Sequence, residues 1–293
     1  MGQDQVDLRP LSSISLRGKA GAFVFPPYLT FILGVDNASS PIPERAQKMR
    51  WSGTLLLWAL VLLAGCGRYF GGAVQPVAEE QQAPNMMVSD DRSVTYVFER
   101  LEIGLKPMSD QELNRQFPGL SNQGPISTNP YTYGNWKRMG EQWIPPKYSV
   151  WRLKVKNYAY PKIQVDPSKI ELVSDSGFRT YTTLDQAQIL EYYYSHIVGY
   201  AGNEYRRFTE REDVLNRTLF KGEVLYSGQE AESFIVFPKL DPDVTAFAIN
   251  VADIALRFNY RDEPIETTDL SFRFQREVHK GNHPPAEWLS GNQ

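Results

Sequence analysis

The side chains able to do chemistry in this 293-residue chain are few: three histidines, one cysteine and scattered carboxylates. His279 and His283 stand four apart, the spacing of two metal ligands on one helix face. Gly281, Pro284 and Pro285 disfavour a helix there, so the stretch reads as a flexible tail over 277–293 and no metal site is expected. His196 lies on a tyrosine-rich segment of helical spacing and reads as a packing residue. Asp241 with Asp243, and Asp262 with Glu263, have the chemistry of calcium ligands or general acids. Each pair flanks a proline in a short polar segment, where solvated turn residues are the simpler reading. No G-x-S-x-G, S-x-x-K, H-E-x-x-H or phosphate-loop motif follows residue 65. The densest candidate stretch is Asn129 to Trp143, which places Tyr131, Tyr133, Trp136 and Trp143 beside Lys137 and Arg138. Aromatic rings with polar tips bury contact area at small entropic cost, which suits a protein or glycan surface. The same rings are equally able to fold back as a lid that orders a long loop.

The formal net charge of -3, from 31 Lys+Arg and 34 Asp+Glu, gives no reason to expect a nucleic-acid partner. Aromatics at 13%, with 21 Gly and 20 Pro, favour strands and turns over a helical bundle. One cysteine excludes an intrachain disulfide and a thiolate metal cluster.

That cysteine closes the strongest local pattern in the chain. Met49 to Cys66 runs from a positive start at Arg50, through an apolar core from Leu55 to Ala64, to small residues. This is the three-part design of a secretory signal, and it is too short to span a bilayer. Its end, Leu63-Ala64-Gly65-Cys66, resembles the lipobox of bacterial lipoproteins. The resemblance implies that residues 49–65 are removed and that Cys66 becomes an acylated N-terminus carrying diacylglycerol and palmitate-type chains. The bilayer is then a partner, no cofactor beyond that lipid is implied, and no thiol nucleophile remains. In lipoproteins of two-membrane bacteria, aspartate after the cysteine retains the protein at the inner membrane. Gly67 stands there, so the resemblance implies the outer membrane. Residues 1–48 carry five prolines and no sustained period, as expected of a mis-annotated upstream leader with translation starting at Met49. An extended leader is the other reading.

Residues 66–92 are polar and aperiodic, and read as a lipidated flexible tether. From Val94 the pattern changes to period two. Leu101, Ile103 and Leu105 alternate with Glu102, Gly104 and Lys106, and Trp151, Leu153 and Val155 alternate with Arg152, Lys154 and Lys156. Segments 170–173 and 178–184 flank Asp175-Ser176-Gly177 as a hairpin, and further strands follow from Val224 to Gln275. Ser109 and Glu112 are spaced as a capping box for a short helix. Gln186 to Tyr200, after an Asp185 cap, and Glu204 to Arg217 read as helices inserted between strands, packed across a sheet edge or the open end of the sandwich.

The expected fold is thus mainly β: an antiparallel sandwich over 93–276 with a helical insertion at about 185–218. It resembles the immunoglobulin-like domains of bacterial lipoproteins through the Trp151–Asn157 strand, the Gly222–Gly228 turn region and the Phe234–Pro238 strand. The expected function is a membrane-anchored, non-catalytic binding or assembly module of the cell envelope with an envelope protein or glycan as partner. The alternative is a cell-wall glycan or peptide hydrolase working through carboxylates.

Overall fold

The computed structural model describes residues 68–121, 129–131, 143, 146–175, 179–191, 194 and 205–290. They form a mainly β protein of two antiparallel sheets. The first sheet contains β2 (Met86–Val88), β3 (Val94–Phe98), β4 (Leu101–Met108), β5 (Tyr148–Asn157) and β10 (Glu230–Pro238), in the order β10-β5-β4-β3-β2. The second is built on two long strands, β11 (Ala246–Phe258) and β12 (Pro264–Gly281). One edge of β12 carries β1 (Arg68–Pro76). The free edge of β11 carries β7 (Ile170–Ser174), itself paired with β8 (Thr180–Thr182), and then β6 (Lys162–Gln164), itself paired with β9 (Val224–Tyr226).

Alternation along each strand supplies the layer between the sheets. Trp151, Leu153 and Val155 are buried while Arg152, Lys154 and Lys156 of the same strand are not. Beside them in the same sheet, β4 contributes Leu101, Ile103 and Leu105, and across the core the second sheet contributes Ile249, Val251, Phe272 and Phe274. Trp151 sits at the centre, its ring 4.5 Å from that of Phe274 and 6.0 Å from that of Phe247. Its indole N–H donates to Ser149 Oγ at 3.0 Å, so the buried ring keeps a polar partner.

β10 breaks the alternation. Phe234, Ile235, Val236 and Phe237 are all buried, which requires cover on both faces. Ile235 and Phe237 join the layer between the sheets, whereas Phe234 and Val236 join a second cluster with Val150, Leu113, Tyr131, Ile189, Leu215 and Leu219. The cover comes from α1 (Asp110–Gln116), from the helical stretch 186–191 and from α3 (Tyr205–Thr218), with the short α2 (Pro118–Ser121) following α1. The helical insertion therefore lies over the outer face of the first sheet, and not across an open end. It also seals the edge of β10: Leu184 N–H donates to Val236 O at 2.7 Å and Phe220 N–H to Phe234 O at 2.8 Å.

The local start signals act as their residue types dictate. Ser109 and Glu112 form a reciprocal capping box on α1, and Asp185 and Gln188 form a second one before residues 186–191.

Two expectations are corrected. Residues 68–92 are not a tether: β1 pairs along β12 from Arg68↔Gly281 to Pro76↔Phe274, and β2 extends the other sheet. Nor do residues 277–290 form a tail, because β12 continues to Gly281 and α4 (Ala286–Ser290) follows. Pairing with a distant partner supplies what these segments lack in local pattern. A tether side chain would be dispensable, but Phe70 is buried on β1. Phe70→Ala should lower the unfolding free energy by about 3 kcal/mol in urea titrations.

Candidate functional site

The structure separates the residues of the aromatic stretch. Tyr131 is fully buried, with ring centroids 4.8 Å from Phe234 and 6.1 Å from Phe117. Its hydroxyl meets Thr218 Oγ1, which itself donates to Val214 O on α3, so the phenol acts as donor. Burial pushes this phenol far above the ordinary tyrosine range, and the Thr218 contact offsets only part of that. Tyr131 is thus a packing residue and leaves the list of contact residues. Asn129 Oδ1 accepts from the Tyr131 N–H at 3.0 Å, and Asn129 Nδ2 donates to Asn114 Oδ1 on α1 at 3.1 Å. These bonds fix the Asn129-Pro130-Tyr131 turn beneath the helices.

Trp143 is half-buried among different neighbours. It makes an edge contact to Phe70 of β1 at 5.9 Å and a tilted one to Trp288 of α4 at 6.2 Å. The long loop is therefore pinned at both ends, by Tyr131 to the helical cover and by Trp143 to β1 and α4. Tyr133, Trp136, Lys137 and Arg138 fall between those two points and lie outside the described residues, as do Cys66, His196 and the 176–177 turn.

Two hollows of about 540 Å³ mark the surface. The first is a crevice between the sealed edge of β10 and the Asp166–Ser168 turn. Its walls are apolar at Leu184, Phe220 and Ile235 and polar at Thr183, Asp185 and Lys221. The turn after Lys221 closes it: Gly222 has φ +82, and a side chain there would lie 2.7 Å from Pro167 Cδ. The polar groups hold the walls together. Thr183 Oγ1 donates to Pro167 O at 2.9 Å, Asp185 Oδ1 accepts from Gln188 N–H at 2.8 Å, and Lys221 Nζ donates to Asn216 Oδ1. Such a crevice can seat a small or extended partner, and its carboxylate is already engaged as a helix cap. The second hollow, between Pro84–Met86 with Tyr96 and Asn250–Ala252 with Thr268–Ser271, is shallower.

The carboxylates considered for catalysis each have a hydrogen-bond or ion-pair partner. Arg179 reaches Asp243 at 2.6 Å and Asp241 at 3.2 Å, and Tyr181 donates to Asp241 at 2.8 Å. The Arg179 hydrogen bond holds Asp243 below the usual carboxylate range. Lys162 Nζ meets Asp262, while Asn259 Nδ2 donates to Glu263 at 2.8 Å. The Ser93 hydroxyl brings Asp91 down to about 2, and the Tyr158 hydroxyl lowers Glu102. Burial pushes Glu112 up, but the N–H and hydroxyl of Ser109, with Arg92 and Lys106, more than reverse that. His279 lies in β12, opposite Phe70, with its ring edge-on to Trp288 at 6.5 Å.

No family model, curated protein or solved structure matches the chain.

Sequence reasoning missed the cluster formed by Phe70, Trp143, His279 and Trp288. Its members are scattered over more than 200 positions, and only the β1–β12 pairing unites them. The aromatic stretch was visible, but whether each ring faces water or core depended on what covers β10. Tyr131→Phe should cost about 1 kcal/mol through the lost hydroxyl, and Tyr131→Ala about 3–5 kcal/mol. Thermal unfolding of both variants checks this, with stability changing far more than any surface substitution allows.

Proposed function

We propose that the protein is a cell-envelope lipoprotein, anchored through acylated Cys66 and carrying a non-catalytic binding or assembly domain. One observation carries the reading: the only cysteine of the chain ends a signal-like segment as Leu63-Ala64-Gly65-Cys66. The outer membrane is the proposed destination, since Gly67 stands where a retention aspartate would.

The domain is proposed to be an immunoglobulin-like sandwich. The support is a buried tryptophan at the centre of two facing antiparallel sheets, Trp151 on β5 between Phe247 and Phe274. A binding role, with an envelope protein or glycan as partner, is favoured over a hydrolase by the state of the acids. Each candidate acid is tied to a neighbour, Asp241 and Asp243 to Arg179, Asp262 to Lys162 and Glu263 to Asn259, and Arg179 holds Asp243 below the carboxylate range that a general acid at neutral pH needs. The segment between Tyr131 and Trp143, with Tyr133, Trp136, Lys137 and Arg138, is the proposed contact surface, held between two fixed ends.

Crosslinking in cells with labelled palmitate tests both halves of the reading. Cys66→Ala should abolish palmitate incorporation. Trp136→Ala should reduce partner capture about thirtyfold, matching a loss of roughly 2 kcal/mol, with melting temperature unchanged. Palmitate on the Cys66→Ala protein would contradict the anchor, and undiminished capture by Trp136→Ala would contradict the contact surface.

A further inference from the structure

The end of the sandwich where the chain enters β1 brings cations and aromatic rings together beside the residue that follows Cys66 and Gly67. Tyr69 is 46% exposed and pairs with Lys280, whose ammonium lies 5.4 Å from the Tyr69 ring centroid. Arg68 lies over Phe70 at 5.6 Å, and Phe70 leads through Trp143 to Trp288. Trp288 rests on Gly72, where a side chain would stand 2.9 Å from the indole, so α4 docks here only because position 72 is bare. Arg276 reaches across beneath Gly71, its guanidinium donating to Val244 O and Asp241 O. That loop carries Lys239, whose ammonium is lowered below the usual lysine range by desolvation and then by the charges of Lys147, Arg276 and Arg68. Glu277 and Glu287 are the acids on the neighbouring strand end and helix. Cations with interleaved tryptophan and tyrosine are what a protein presents to a headgroup layer: rings settle at the interface while lysines and arginines meet anionic lipid.

Covalent geometry makes the placement consequential. Arg68 is two residues from Cys66, and two residues span at most about 7 Å. A lipid on Cys66 would therefore hold this end, and no other, at headgroup depth. We infer that the face formed by Arg68, Tyr69, Trp143, Lys239, Lys280 and Trp288 is a second membrane contact, seated on an anionic bilayer and fixing the orientation of the domain. The inference rests on the lipid-anchor reading. The sandwich then stands on the membrane by this end, and the β11–β12 turn at Tyr260, which is 87% exposed, points away. The two ends are about 50 Å apart by strand rise along β12.

The test uses the mature membrane-extracted protein, in which an acylated Cys66 is a thioether and an introduced cysteine is the only thiol. A fluorophore is attached to Tyr69→Cys, to Lys280→Cys in case the first variant fails to fold, and to Tyr260→Cys. The proteins are reconstituted into phosphatidylethanolamine–phosphatidylglycerol vesicles carrying a headgroup-level nitroxide quencher. Labels at 69 and 280 should lose most of their fluorescence and the label at 260 should lose none. Raising salt from 0.1 M to 1 M, which shortens the screening length from about 10 Å to 3 Å, should loosen the orientation, so that the label at 260 begins to lose fluorescence while the label at 69 stays quenched beside the lipid. Equal quenching at 69, 280 and 260 on a fully acylated sample would overturn the membrane face while leaving the anchor intact. A second reactive thiol at Cys66 would overturn the anchor reading, and this inference with it.

Discussion

Burial of Phe234, Ile235, Val236 and Phe237 on one strand is the constraint from which most of the structure follows. Consecutive side chains point to opposite faces, so no single partner layer can cover all four. The second sheet takes Ile235 and Phe237. Phe234 and Val236 would stand in water unless something crossed the outer face, and the chain supplies α1, Tyr131, residues 186–191 and α3 for that purpose. The charged half of the same face needs no cover: Arg152 pairs with Glu232 at 3.3 Å and Lys154 with Glu102 at 3.5 Å, exposed pairs of small energetic weight. The helical insertion is therefore part of the core, and removing it would expose β10 on its face and its edge together.

A second consequence concerns the chain ends. The β1–β12 ladder brings the first described residues against the last strand, so entry and exit lie at one end of the sandwich. Gly71 and Gly72, weak strand formers by themselves, leave room for their neighbours: a Cβ at 71 would stand 2.7 Å from Arg276 Nη1 and one at 72 would stand 2.9 Å from the Trp288 ring. At the other end of β5, buried Asn157 ties the two sheets together. Its Nδ2 donates to Leu225 O at 3.0 Å and Tyr160 O at 2.9 Å, while its Oδ1 accepts from Tyr160 N–H at 2.8 Å. Both ends are thus held by specific polar or aromatic contacts across a hydrophobic middle.

Much of this was legible where the determinants are local. The alternation from Trp151 to Lys156, the Ser109–Glu112 box, the Asp185 cap and the pairing of β7 with β8 depend on neighbours a few residues away, so pattern alone located them. Arg68–Pro76 was not legible, since its Gly-Gly step and polar residues acquire strand character only by pairing with residues some 200 positions on. The strand 270–275 was foreseen, but its continuation to Gly281 depends on that same pairing. For Tyr131 and Trp143 the sequence left contact surface and folded-back lid equally open, because tyrosine and tryptophan serve surfaces and cores alike. Only the uncovered half of β10 decides for Tyr131, and only the aromatic neighbours on β1 and α4 decide for Trp143.

A lipid on Cys66 would lie two residues before the start of β1, and the state of the mature N-terminus tests that directly. Tryptic mass spectrometry of the membrane-extracted, denatured protein should yield Cys66-Gly67-Arg68 as the first peptide, its mass raised by diacylglycerol and fatty acyl groups. An unmodified Cys66 thiol within a peptide that continues upstream of residue 66 would contradict it.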